Sequence, residues 1–266
     1  MRKNIFEIEN RLNIQKEFEK FVQVFHSSSL LIDSYSHITF IDYIDREYFK
    51  FWEYRGTSLS ILEYLENIGI GKHILSFVIP ISEELFLRYM EFLLNIINIS
   101  IAKMNFGKTD KLLLATILNI PFILEKLNYN EEKIRDKTII TKRDADVDSV
   151  LTMVPKDISI LLLEYNDFGN TNNIETKKSI LKDIDLYIEK DKLIFKKIVD
   201  NTLLDSIGTI VNKMGVNHPI NEEPYKSFTN GQLIEWYDKC FLMMIHAIRS
   251  VEVNKIKNER LELVKK

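Results

Sequence analysis

The chain has 266 residues, with 36 Lys and Arg against 39 Asp and Glu, for a formal net charge of −3. An apolar share of 45% and a charged share of 28% are those of an ordinary globular protein and exclude disordered, collagen-like and mucin-like chains. Only 8 glycines and 5 prolines, against a typical combined share of about 12%, leave few breaks in regular structure, which favours helices over a many-turned β-sandwich. The single cysteine, Cys240, excludes an intrachain disulfide and points to a reducing compartment. Near-balanced charge supplies no general field for a phosphate backbone, so nucleic acid is not an expected partner.

In chain order, Ile5 to Phe25 places Phe6, Leu12, Phe18, Phe21, Val22 and Phe25 on one helical stripe. Glu7, Glu9, Arg11 and Lys16 interrupt what would be the core of a signal peptide, so no export signal is expected. Ser27 to Ser29 end this helix, and Leu30 to Tyr43 reads as an extended segment with Ile38, Phe40 and Asp42 on one side. Tyr48 to Tyr54 reads as a helix ending before Gly56. Ser60 and Glu63 have the spacing of a capping box, and Leu59, Leu62, Leu65 and Ile68 would form the buried face up to Gly69. Pro80, Ser82, Glu83 and Glu84 open a helix through Ala102, closed by Gly107, and Lys111 to Lys126 makes the next, kinked at Pro121. The apolar windows Leu85 to Ala102 and Leu112 to Leu124 hold charges or are short, whereas a membrane helix needs about 20 apolar residues. Both are expected as buried helices of a cytoplasmic protein.

From Asn128 to Pro155 the pattern breaks into charges, and Ile158 to Leu163 is an apolar run that fits strand or helix. Lys177 to Met214 reads as one long helix, or as two with a break near Asp200 and Asn201. Thr229 and Gln232 form a second capping box. After it, Leu233, Tyr237, Cys240, Met244, Ala247 and Val251 recur at gaps of four and three, and Ile234, Phe241, Ile245 and Ile248 make a second row. Such a wide face belongs at the centre of a bundle. The tail from Glu252 is charged, with Ile256, Leu261 and Val264 as a thin stripe. The expected fold is mainly α, an irregular helical bundle that admits a short strand or hairpin in its N-terminal half. Its expected parts are an N-terminal helical domain over 1–128, a charged connecting region over 129–175 and a C-terminal bundle over 176–266.

Candidate chemistry is sparse. Asp144, Asp146 and Asp148 alternate like the start of a calcium loop, but Ser149 stands where the loop needs glycine and Pro155 where it needs a bidentate Glu; a turn that starts a helix is the better reading. Gly69, Ile70, Gly71, Lys72 lacks the spacing of a P-loop, with Glu66 and His73 at its required positions, and reads as a helix end and a bend. His26, His37, His73, His218 and His246 show no paired metal spacing. Cys240 and His246 fall about 240° apart around one helix and form no dyad. Glu131 and Lys133 have a Glu-x-Lys spacing known from metal-dependent nucleases, yet read as solvated charge. Trp52, Tyr54 and Arg55 offer flat faces that can stack on a base or a peptide, and with Trp236 and Arg249 they are the candidate binding surface. No residue is assigned to catalysis, to a cofactor or to a metal, and no cofactor is expected.

Towards the C-terminus, Phe195, Leu203, Leu204 and Asp205, then Met214, Gly215, Val216, Asn217, His218 and Pro219, then Tyr225, Glu235, Trp236, Tyr237 and Asp238, followed by an apolar helix through Ile248, form an ordered pattern. It resembles the C-terminal helical module of bacterial proteins grouped with abortive-infection and phage-defence genes. The resemblance implies a helical protein of a defence or toxin-linked system, a setting that includes helical HEPN ribonucleases. Those use an Arg followed by a His on one helix, whereas here His246 precedes Arg249. The leading expectation is therefore a non-enzymatic component that binds another protein or a second copy of itself, in a regulatory or immunity role. The rival is a HEPN-like or metal-dependent nuclease built on Arg249 or on Asp144, Asp146 and Asp148.

Overall fold

A computed structural model describes residues 12–27, 29–31, 37–76, 78–101 and 111–263. The chain is mainly α-helical and divides into two compact units, 1–140 and 141–266. The boundary falls inside the segment 129–175. Among the described residues no helix is long and apolar enough to cross a membrane.

In the first unit, helix α1 (Ile14–Ser27) buries Phe18, Phe21, Val22 and Phe25 as the stripe requires; Phe6 and its neighbours lie outside the described residues. Strands β1 (Ser29–Leu31) and β2 (His37–Thr39) pair antiparallel, Leu30 opposite Ile38. The extended segment stops sooner than its sequence suggests. Thr39 accepts a hydrogen bond from the Asp42 N–H at 3.1 Å and caps helix α2 (Phe40–Glu47), which turns Phe40 and Ile44 into the core. Residues 48–55 are not an α-helix but two 3-10 turns, Phe49–Phe51 and Glu53–Arg55.

The capping box before helix α3 (Ile61–Asn67) is present: Ser60 accepts from the Glu63 N–H at 3.2 Å, and the Glu63 carboxylate reaches back to the Leu59 N–H at 2.7 Å. Its buried face is shifted from the expected one, because Ile61 and Leu65 point inward while Leu59 and Leu62 face solvent. Gly69 ends this stretch at φ +83°, where a side chain would be strained. Gly71 opens helix α4 (Gly71–Leu75) so close to α3 that a β-carbon would lie 2.5 Å from Glu66 Cγ and 3.1 Å from its Cα. The two glycines thus make a tight corner between helices and no phosphate cradle.

Ser82 accepts from the Leu85 N–H at 3.3 Å and leads into helix α5 (Glu83–Ile101). Its Phe86 and Tyr89 interlock with α1, Phe18 meeting Tyr89 edge-on at 5.2 Å and Phe21 meeting Phe86 at 6.5 Å. The expected kinked helix is two, α6 (Lys111–Leu118) and α7 (Ile120–Lys126), with Pro121 in the first turn of α7, where no intrahelical donor is lost. A hairpin follows in place of a charged connector: β3 (Tyr129–Ile134) and β4 (Lys137–Lys142), joined through Arg135 at φ +58°. The burial that defines it lies on one strand, Thr138, Ile139, Ile140 and Thr141 being buried while β3 buries Ile134.

The second unit contains helices α8 (Ala145–Leu151), α9 (Lys156–Tyr165), α10 (Ile174–Lys190), α11 (Lys192–Ile198), α12 (Asn201–Lys213) and α13 (Asn230–Leu263). The apolar run at 158–163 is helical. The stretch from 177 to 214 breaks twice, at Asp191 and at Val199 and Asp200, where the Asp200 carboxylate accepts from the Thr202 N–H at 2.7 Å. Thr229 and Gln232 exchange the two capping bonds at 2.9 and 3.3 Å. Behind them α13 buries Leu233, Tyr237, Cys240, Met244, Ala247 and Val251, and also Phe241, Ile245 and Ile248 of the second row. α8, α10, α11 and α12 all pack against it. Its last turns, including Ile256 and Leu261, are exposed; Val264 lies outside the described residues.

Two polar atoms in the first core have no hydrogen-bond partner among the described residues, Tyr89 Oη and His26 Nε2. An unsatisfied buried hydroxyl costs about 1–3 kcal/mol, so Tyr89→Phe should leave stability unchanged or raise it by roughly 1 kcal/mol in urea unfolding; a loss of that size would reveal a partner for the hydroxyl. Burial holds the His26 imidazole below its ordinary 6.5, against the opposing pull of the Asp42 carboxylate. With the folded value below the unfolded one, the contribution to stability is complete above 6.5 and is lost as pH falls from there towards the folded value. Between about pH 7 and about pH 5 the wild type should therefore lose more stability than His26→Phe; parallel pH profiles would contradict the buried, neutral imidazole.

Candidate functional site

Trp52, Tyr54 and Arg55 do not form a stacking platform. Trp52 is only 5% exposed, packed edge-on against Tyr64 at 5.0 Å and Phe92 at 5.9 Å. The Tyr54 hydroxyl donates to Asp136 at 2.7 Å, which raises the phenol above its ordinary range and lowers the carboxyl. The Arg55 guanidinium is engaged by the carbonyls of Ser58 at 2.6 Å and Lys50 at 3.2 Å. These contacts close the loop ahead of α3.

Trp236 is half-buried against the second core, with the Lys239 ammonium 4.7 Å above its ring. Arg249 is exposed and ties α13 to α8 through Asp146 at 3.4 Å. Thirteen residues of helix place Trp236 and Arg249 about 20 Å apart along the axis, so they are not one surface. Asp144 caps α8, accepting from the N–H groups of Asp146 and Val147 at 2.9 and 3.3 Å, which is the turn that starts a helix. The Cys240 thiol is buried and pushed up to about 12 by that burial, while His246 on the same helix is exposed. His73 is buried with Nδ1 3.2 Å from the Ile79 carbonyl, and His218 is exposed.

What the first unit does assemble is an apolar cleft. On α5, Glu91, Asn95 and Asn98 follow one another at gaps of four and three and together grip β4. The buried Asn95 side chain donates to the Thr138 carbonyl at 2.7 Å and accepts from the Thr138 N–H at 2.9 Å, a strand's bonding pattern supplied by an amide. Asn98 donates to the Thr138 hydroxyl at 2.8 Å, and Glu91 pairs with Lys137 at 3.0 Å. The hairpin so fixed stands opposite α6 and α7 and leaves a cavity of about 370 Å³. Leu94, Ile97, Ile117, Leu118 and Pro121 form its apolar walls; Glu131, Glu132 and Lys133 of β3 form its rim. Partial burial raises the Glu131 carboxyl above the ordinary carboxylate range. Beside the cleft, Leu114, Leu118 and Phe122 recur at every fourth residue and are all exposed, Leu118 by 60% and Phe122 by 64%. Neither the polar stripe of α5 nor this exposed run was singled out by sequence reasoning; polar residues at 91, 95 and 98 inside an apolar window were the available signal.

Among the described residues of the second unit, Lys177 is the most deeply buried charge. The Lys177 side chain is 5% exposed, donates to Asp238 at 2.6 Å and lies 4.2 Å over the Tyr165 ring. Tyr165 donates to the same carboxylate oxygen at 3.0 Å and stacks on Phe241 at 3.9 Å. One carboxylate thus joins α9, α10 and α13.

No family model matches the chain, and neither a curated protein nor a solved structure matches it.

Removing the carboxylate strands the lysine. Asp238→Ala should cost roughly 2 kcal/mol, below the ~3–5 of a fully buried pair because the Asp238 side chain is half exposed. Lys177→Met, which removes the buried charge itself, should cost less than Asp238→Ala in the same urea series. The opposite order would show that the lysine stem, and not its charge, is what Asp238 supports.

Proposed function

We propose that the protein works by binding another protein, and that the first unit's exposed run Leu114, Leu118 and Phe122, with the cleft beside it, receives an apolar segment of that partner. Single exposed apolar side chains are ordinary on any surface, but a contiguous set opening into an apolar cleft with a polar rim is how docking sites are built. The observation that carries this reading is the continuity of Leu118 itself, which belongs both to the exposed run and to the cleft wall. An amphipathic helix suits the geometry, since anchors every three or four residues match both the run and the cleft. The regulatory or immunity role in a phage-defence system rests on the C-terminal resemblance alone, and an adjacent toxin, ATPase or nuclease gene would support it.

Peptide display against the full chain tests the surface without a known partner. Selection should enrich peptides with apolar anchors at helical spacing, and the double substitution Leu118→Glu, Phe122→Glu should abolish their binding while leaving the melting temperature within a few degrees. Enriched peptides that bind the double variant as tightly as wild type would place the docking surface elsewhere.

A further inference from the structure

The apolar face of α13 changes sides near its end. Up to Val251 the buried face runs along Tyr237, Met244 and Val251, seven residues apart. Past Glu252 every residue to Leu263 is exposed except the half-buried Asn254. Within that stretch Val253, Ile256, Arg260 and Leu263 follow one another at gaps of three, four and three. At about 100° per residue they form one stripe, centred about 140° around the helix from the Met244 line. The helices packed on that line leave the stripe uncovered: Val253 is exposed by 49%, Ile256 by 53% and Leu263 by 74%.

The spacing is that of a coiled-coil seam, with Val253 and Arg260 at a and Ile256 and Leu263 at d. The charges beside the seam are sorted by side. Glu252 and Glu259 stand at g on one flank, and Lys257 stands at e on the other. Glu252 accepts from Lys255 at 2.7 Å and from Tyr187 at 3.4 Å, both on Oε1, so its Oε2 is not used by either. Lys257 and Glu259 have no ion-pair partner among the described residues. This sorting selects the occupant. Two copies of α13 running in the same direction set the acidic flank of each against the basic flank of the other, with Glu252 facing Lys257 of the second copy five residues on. Running in opposite directions they would set Lys257 against Lys257 and Glu259 against Glu259, which is unfavourable.

We propose that the end of α13 pairs with α13 of a second copy of this chain, side by side and in the same direction about a two-fold axis, through Val253, Ile256 and Leu263. The β-branched Val253 at a suits a two-stranded pair, and Arg260, a single polar residue in the seam, fixes the register at a cost in stability. The second copy thus uses a face of α13 that the bundle does not, and this surface is separate from the docking surface of the first unit.

Sedimentation equilibrium of the full chain from about 10 µM to about 1 mM tests this. The wild type should pass from monomer to dimer within that range. Ile256→Asp should keep the chain monomeric at every concentration while leaving the melting temperature unchanged, because the side chain is exposed. Lys257→Glu, which sets acid against acid, should weaken the dimer about tenfold, and Arg260→Leu should tighten it. Leu263→Cys reads the direction: in a same-direction pair the two copies of residue 263 meet, so oxidation should join the chains by a disulfide, in which the buried Cys240 takes no part. The double variant Leu118→Glu, Phe122→Glu should dimerise as wild type does, so failure of the first-unit docking surface and failure of this seam are separate results. A chain that stays monomeric throughout, a dimer that survives Ile256→Asp, or a Leu263→Cys variant that dimerises without cross-linking would overturn the proposal.

Discussion

α13 carries two apolar rows, and everything in the second unit is arranged to keep both out of water. Cys240, Met244 and Ala247 cannot be covered by one neighbour together with Phe241, Ile245 and Ile248, because the rows span too much of the helix circumference. Four helices pack against it instead, and the breaks at Asp191 and Val199 let a stretch that reads as one long helix contribute three of them, α10, α11 and α12. Of the second row, Phe241, Ile245 and Ile248 are buried within the chain and Ile234 is half-buried. The Lys177 and Asp238 pair adds a polar tie to this packing whose role is orientation, since a buried ion pair contributes little net stability.

What the sequence disclosed and what it hid follow from where burial is recorded. α13 was legible because its period runs for five turns behind a capping box, and α5 because acids precede its apolar run; α1 was legible only from Ile14 on, since Leu12 and Asn13, expected inside the helix, are not helical. The hairpin at 129–142 was hidden because β3 is polar up to Ile134, its one buried residue, and only β4 carries a buried run, so neither stretch of sequence shows the apolar alternation that identifies a half-buried sheet. Its anchor is polar as well: Glu91, Asn95 and Asn98 look like interruptions of an apolar helix and are in fact its contacts to a strand. Trp52 was misplaced because proximity in sequence says nothing of direction; an aromatic two residues from an exposed tyrosine faces the core.

The two units thus divide their chemistry. In the first, apolar side chains on α6 and α7 remain outside and border a cleft held open by the α5 and β4 contacts. In the second, the apolar rows of α13 are largely covered by its neighbours, while Leu186, Leu193, Leu242 and the last turns of α13 stay exposed. On the docking reading proposed above, the exposed leucines and phenylalanine of α6 and α7 would be anchors of the kind that dominate docking energies.

Amide hydrogen exchange on the full chain, alone and saturated with a peptide selected against it, tests this division most directly. The account expects new protection confined to residues 111–126 and 129–138, while amides between 233 and 251 are already slow and do not change. Protection that appears instead along 233–251 would mean that the apolar rows of α13 are the binding surface, and would contradict it.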